Sequence, residues 1–134
     1  MIPAETKNKT LQALLEHRIL LLDGGFGTMV QSYGLDEAAY RGERFRTWEV
    51  QLKGCNDLLV LTRPEVVREI HEKYLAAGAD IIETDSFNAN AVSLADYRLE
   101  GLAREISRAA AEVARAAADA FTARNPQKPR FVAG

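Results

Sequence analysis

The stretch Ile19-Leu20-Leu21-Leu22-Asp23-Gly24-Gly25-Phe26-Gly27-Thr28 decides how this chain is read. Its first four residues form a short apolar run of branched side chains, the pattern of a buried strand. The run stops on a carboxylate and three glycines. Glycine admits positive φ and lets a ligand come close to the backbone. Bare N–H groups in such a turn can hold an anion, and Asp23 beside them can hold a cation. Anion next to cation is the charge pattern of a free amino acid. Glycine also ends strands for purely structural reasons, so the turn alone leaves both readings open. A Walker loop is excluded, because no Gly-Lys-Ser/Thr follows. The dinucleotide fingerprint is incomplete, since its third glycine would fall on Val30.

Working outward, Thr10 to Arg18 reads as a short helix with Leu11, Leu14 and Leu15 on one face. After the glycine turn, Met29 to Tyr33 continues as a helical turn closed by Gly34. A long irregular excursion follows, Leu35 to Asn56, carrying Tyr40, Phe45 and Trp48; connections of this length are usually functional or interaction segments. Thr62-Arg63-Pro64-Glu65 predicts a helix start, with Thr62 as cap, Glu65 completing a capping box and Pro64 in the first turn. Val66, Val67, Ile70, Tyr74 and Leu75 then recur at helical spacing, and Gly78 stands where a left-handed C-cap is wanted. Asp80-Ile81-Ile82-Glu83 is a second strand, ending on Thr84-Asp85-Ser86-Phe87-Asn88. From Ala91 the chain is helical again, with a break near Gly101 and a stripe of Leu102, Ile106, Ala109, Val113, Ala117 and Ala120. Arg130 to Gly134 begins a third strand.

Strand, helix, strand, helix, strand is the order of a parallel α/β fold with right-handed crossovers. Such folds gather ligand groups at the C-terminal ends of strands. Both polar clusters, Asp23–Thr28 and Glu83–Asn88, fall there. A complete (β/α)₈ barrel needs about 250 residues. The 134 residues here, with about three strands, make at most a little less than half of one; a small doubly wound sheet is the alternative.

Bulk composition narrows the class. Apolar content of 47% and charged content of 27% suit a soluble globular domain. A net charge of −2 gives no broad attraction to nucleic acid or to an anionic membrane. The single cysteine cannot form an internal disulfide, which fits a reducing compartment. Met1 to Lys7 lacks the apolar stretch of a signal peptide, and no run is long enough to span a bilayer. A cytoplasmic protein is expected. Arg41-Gly42-Glu43-Arg44-Phe45-Arg46-Thr47-Trp48 mixes basic and aromatic residues, but its glutamate and the overall charge argue against nucleic acid. An ordered surface excursion, packing its aromatics on the domain or docking a neighbour, fits better.

Four blocks carry a resemblance: Asp23 to Met29, Arg41-Gly42-Glu43-Arg44-Phe45, Gly54-Cys55-Asn56-Asp57-Leu58-Leu59, and Ala77 to Phe87. In order and without large gaps, they resemble the homocysteine S-methyltransferase family. The second and third blocks are similar in particular to its cobalamin-dependent methionine synthases. The resemblance implies a partial TIM barrel, residues 1–134 being the N-terminal portion of a homocysteine-binding domain cut at its third strand. It implies methyl transfer from methylcobalamin to homocysteine, giving methionine, with methylcobalamin regenerated from methyltetrahydrofolate. The partners it implies are the rest of the barrel and downstream domains for folate, cobalamin and S-adenosylmethionine.

The resemblance also implies a zinc ion that turns the homocysteine thiol into a thiolate, a form scarce at neutral pH for a thiol of pKa near ~8.5. Its three cysteine ligands are expected from later strands. A catalytic zinc needs about three converging protein ligands. Cys55, His17 and His71 are expected to be a small buried or half-exposed thiol and two surface imidazoles, so no metal ligand and no catalytic residue is assigned to this chain.

What the resemblance leaves here is an amino-acid clamp. Asp23 is expected to hold the ammonium, the N–H groups of Gly24 and Gly25 to face the carboxylate, and Thr84, Asp85, Ser86 and Phe87 to line the pocket. Related enzymes commonly read Asn-Thr-Phe at Asp85-Ser86-Phe87; serine keeps the hydroxyl, whereas aspartate adds charge and removes donors. Glu83 either joins the site or pairs with a basic residue inside the barrel. Three hypotheses stand: an inactive piece of the enzyme, a non-catalytic half-barrel that assembles with another chain, or an unrelated phosphate-binding α/β domain.

Overall fold

The computed structural model describes residues 4–134, with side chains described from Lys9 onward. The reading of Met1 to Pro3 lies outside the described residues. Seven α-helices are described: α1 (Ala4–Leu15), α2 (Gly27–Gln31), α3 (Glu37–Arg41), α4 (Leu59–Thr62), α5 (Pro64–Ala77), α6 (Ala91–Leu94) and α7 (Ala103–Arg124). Two strands, β1 (Ile81–Glu83) and β2 (Phe131–Ala133), pair in parallel, Ile81 opposite Phe131 and Glu83 opposite Ala133. The molecule is therefore an α/β protein of mostly helical content around a short parallel sheet.

The segment 19–22 adds to this sheet by a single parallel bridge, Leu22 to Ile81. The Leu21 carbonyl accepts the N–H groups of Asp80 (2.8 Å) and Ile81 (3.1 Å), and the Asp23 N–H donates to the Ile81 carbonyl at 2.9 Å. It is not the buried strand the apolar run predicts. Ile19 is 85% exposed, with Leu21 and Leu22 at 57% and 58%. Its backbone meets a partner on one edge, while no described element covers its side chains.

One face of the sheet is covered by α5 and α7. Ile82 is fully buried in a cluster with Leu75, Ala79, Ala114, Ala117 and Ala118. Alanines on α7 let the helix lie close to the strand, and their high helix propensity keeps the helix continuous. The buried stripe is Ile106, Ala110, Ala114, Ala117 and Ala118; the predicted Ala109, Val113 and Ala120 lie on its partly exposed flank. The break before α7 is wider than glycine alone predicts. It runs through two 3₁₀ turns, Ala95–Tyr97 and Glu100–Leu102, with Arg98 at φ +55° between them.

Pro64 opens α5 as expected, and Gly78 caps it at φ +114°, a left-handed conformation open to glycine without strain. The capping box does not form. The N-cap is Arg63, without a side-chain bond, because Thr62 closes α4 and its hydroxyl reaches back to the Leu58 carbonyl at 3.5 Å. The excursion 35–56 contains α3 and packs inward through Tyr40, Phe45, Leu52 and Cys55, all buried. Phe45 and Trp48 meet edge to face at 5.3 Å, and the Trp48 indole donates to the Tyr97 carbonyl at 2.9 Å. The basic-aromatic stretch thus anchors its aromatic residues in the core and against the segment before α7.

Candidate amino-acid pocket

Two strand ends and the end of the excursion meet around one cavity of about 520 Å³. Asp23, Gly24, Phe26 and Gly27 come from the glycine turn, and Glu83, Thr84, Asp85, Phe87 and Asn88 from the end of β1. The far wall is Gly54-Cys55-Asn56-Asp57 with Ser93, Leu94, Asp96 and Tyr97. Asp23 and Thr84 therefore share one mouth. Gly25 and Ser86 do not line it: the Gly25 carbonyl accepts the Tyr74 hydroxyl at 2.7 Å, and the Ser86 hydroxyl lies 2.6 Å from that of Thr84.

Local bonding explains why the turn stands where it does. Asp23 is fixed at both ends, its N–H on the Ile81 carbonyl and its Oδ2 accepting the Glu83 N–H at 3.1 Å. Gly24, Gly25 and Gly27 are not among the glycines at positive φ. Their use is close approach: a Cβ on Gly24 would sit 3.4 Å from the Tyr74 hydroxyl, and one on Gly25 would sit 3.2 Å from the Thr28 hydroxyl. The N–H groups of Gly24 and Gly25 make no hydrogen bond among the described residues.

The electrostatics are one-sided. Asp23, Asp57, Glu83, Asp85 and Asp96 line the cavity, and among the described residues no lysine, arginine or histidine does. Burial raises the Asp23 pKa and the neighbouring Glu83 charge adds to it, while N–H donors from Glu83 and from Asp23 itself oppose both. Such a pocket attracts an ammonium group and repels a phosphate. Glu83 is exposed at the rim. Asp85 is 6% exposed, and burial first, then Asp57, pushes its carboxyl up to about 9. Phe87, which also borders the cavity, is 92% exposed.

Of Cys55, His17 and His71, only His71 has surroundings other than those expected. Cys55 forms part of the cavity wall, and burial pushes its thiol up to about 11. His71 is a buried residue of α5, not a surface imidazole; its ring lies 5.8 Å from that of Phe26. Helical spacing put His71 beside Ile70 on the inner face of α5, which reading it singly missed. His17 is exposed. Among the described residues no group of three or more His, Cys, Asp or Glu could hold a metal ion, so the side chains here do not fit the zinc site that the resemblance implies.

Asp57, Asp96 and Tyr97 were not singled out from sequence, whereas Asn88 closes the second polar cluster read there. Asp57 sits in a block quoted only for its resemblance, and no periodicity shows that the excursion ends across the mouth from Asp23. Its Oδ2 accepts the Asn88 N–H at 2.6 Å, tying that wall to the loop after β1.

The arrangement defines an α/β protein whose parallel strand ends share a carboxylate-lined pocket fit for a small cation-bearing molecule. The chain belongs to the homocysteine S-methyltransferase family, whose model matches residues 20–134. It is similar to solved structures of the homocysteine methyltransferase MmuM from Escherichia coli. The oxidized form is 31% identical with a TM-score of 0.71, over 92% of this chain and 39% of that one. The metallated form is 29% identical with a TM-score of 0.70, over 92% and 40%. The chain thus spans about two fifths of the length of these relatives. No helix among the described residues is long and apolar enough to cross a membrane.

Proposed function

We propose that this chain supplies the amino-acid clamp of a methyltransferase acting on homocysteine, and that its sheet is the first part of a (β/α)₈ barrel. The observation that carries this is the single cavity shared by Asp23 and Thr84, lined by five acidic side chains and by Gly24, whose N–H makes no hydrogen bond among the described residues. Asp23 holds the ammonium group. Gly24 and Gly25 direct their N–H groups to the carboxylate. Thr84 and Asp85 shape the far side, with Ser86 holding the Thr84 hydroxyl and Phe87 shielding the mouth.

Within the family we assign the chain to the cobalamin-dependent methionine synthases, on the Arg41–Phe45 and Gly54–Leu59 blocks. Zinc, methylcobalamin and methyltetrahydrofolate then belong to the complete enzyme, and no step on them is assigned to residues here. The remaining barrel half covers the exposed face of Ile19, Leu21 and Leu22. An exposed apolar strand segment of this kind otherwise invites aggregation. The place of action is the cytoplasm.

Co-expression with a second half-barrel carrying the later cysteines tests this reading. The expected result is a stable complex that retains zinc and forms methionine from homocysteine and methylcobalamin. A zinc-bearing complex that methylates homocysteine only from another donor overturns the cobalamin assignment. One that leaves homocysteine unmethylated with every donor overturns the function.

A further inference from the structure

The excursion 35–56 is tied down along its length. The two Glu37 carboxylate oxygens accept the N–H groups of Leu52 and Lys53, each at 2.7 Å. The Arg41 guanidinium donates to the carbonyls of Trp48 at 2.7 Å and Val50 at 3.2 Å. These bonds deliver Asn56 to the cavity wall, where its own N–H donates to the Gly54 carbonyl at 2.9 Å and the buried Leu58 and Leu59 anchor the turn. The Asn56 side chain is fixed as well. Its Oδ1 accepts the hydroxyl of the buried Tyr40 at 2.8 Å. The other end of the amide, Nδ2, stands against Gly27 of the glycine turn, where a Cβ would lie 3.6 Å from it. Nδ2 makes no hydrogen bond among the described residues, and Asn56 and Gly27 both line the cavity.

A zwitterion entering this cavity meets five acidic side chains and, among the described residues, no side-chain cation. Its carboxylate needs neutral donors. The Thr84 hydroxyl is already engaged with Ser86, and Asn88, the other amide on the wall, is exposed. With its oxygen turned to Tyr40, the Asn56 amide presents N–H groups alone to the cavity. We infer that Asn56, aimed by Tyr40, donates to the carboxylate of an amino-acid ligand from the wall opposite Gly24, and so selects amino acids over amines that carry the same ammonium and thiol. Asp23 attracts the ammonium of either ligand, so the choice between them falls to the donors. The inference rests on the homocysteine reading and adds a binding residue to it. It also gives the tightly bonded excursion a task, which is to hold that residue in place.

Calorimetric titration of the full chain with homocysteine and with aminopropanethiol, the same thiol amine without its carboxylate, tests this. Asn56→Asp keeps the oxygen that Tyr40 bonds and loses the donors. Asn56→Ala loses the donors without adding charge; if it does not fold, because it strips Tyr40 of its acceptor, Asn56→Asp decides alone. Each variant should bind homocysteine about tenfold to a hundredfold more weakly than the parent, the range for a hydrogen bond to a charged group. Aminopropanethiol should bind to both no more weakly than to the parent. Tyr40→Phe frees the amide to turn and should lower homocysteine affinity by less, with aminopropanethiol again unaffected. Homocysteine bound equally by parent and variants overturns the role of Asn56 and leaves the homocysteine reading standing. Equal weakening of both ligands makes Asn56 a mere part of the pocket's shape and overturns the carboxylate contact. A folded parent that binds neither ligand overturns the homocysteine reading, and the contact with it.

Discussion

Replacing Asp80 by alanine is expected to destabilise the fold by about 2–3 kcal/mol, and to loosen the site with it. Asp80 is 1% exposed. Its carboxylate accepts both terminal nitrogens of Arg18, at 3.1 and 2.8 Å, and the Leu21 N–H at 3.0 Å. Burial alone would raise its pKa; the Arg18 hydrogen bond, the Leu21 N–H and the charges of Arg18 and Lys128 overcome this and lower it. These bonds flank the single bridge that holds segment 19–22 to β1, so Asp80 stands in for the ladder the segment lacks. Asp23 begins where that segment ends. Urea unfolding should give a lower midpoint for Asp80→Ala and a smaller loss for Asp80→Asn, which keeps an acceptor for Leu21. Equal stability of both variants and the parent would mean that the clamp contributes nothing.

Acidification from pH 6.5 to about 4 is expected to remove about 3 kcal/mol through His71 alone. The imidazole is fully buried, neither ring nitrogen has a partner, and burial lowers its pKa to about 4. The native state refuses a proton that the unfolded chain accepts near 6.5. Stability is therefore complete above 6.5, falls through the window down to about 4, and is level below it as far as this group is concerned. Asp85 acts with the opposite sign, since its native value of about 9 lies above the unfolded one: the native state gains stability as pH falls from 9 towards 4. His71→Leu removes the unpartnered nitrogens and should flatten the acid limb between pH 6.5 and 4.5, measured by urea midpoints at both ends. Parallel decline of parent and variant would contradict this.

Much of the fold was legible because local chemistry and tertiary position agree. Pro64 and Gly78 bracket α5 wherever the helix packs. The alternation of strands and helices placed Asp23 and Thr84 at one rim, and the cavity joins them. Other features depend on partners that no local pattern shows. Thr62 has the letters of a cap, yet α4 takes it as its last residue. The alanine stripe of α7 has several nearly equivalent faces, and only contact with Ile82 and Leu75 selects Ala114, Ala117 and Ala118. Ile19 to Leu22 read as buried because branched apolar runs usually are, whereas burial needs a covering element that the described residues do not supply. Asp57 reaches the site from 34 residues along the chain past Asp23, across the aromatic anchors of Tyr40 and Phe45, and no spacing rule foretells that crossing.

Amide shift mapping of the isotopically labelled chain on titration with homocysteine tests the amino-acid clamp most directly. The account predicts saturable shifts centred on Gly24, Gly25, Thr84 and Asp85, abolished in Asp23→Ala while the rest of the spectrum stays folded. Shifts confined to the opposite end of the strands, or none in a folded parent chain at saturating ligand, would contradict it.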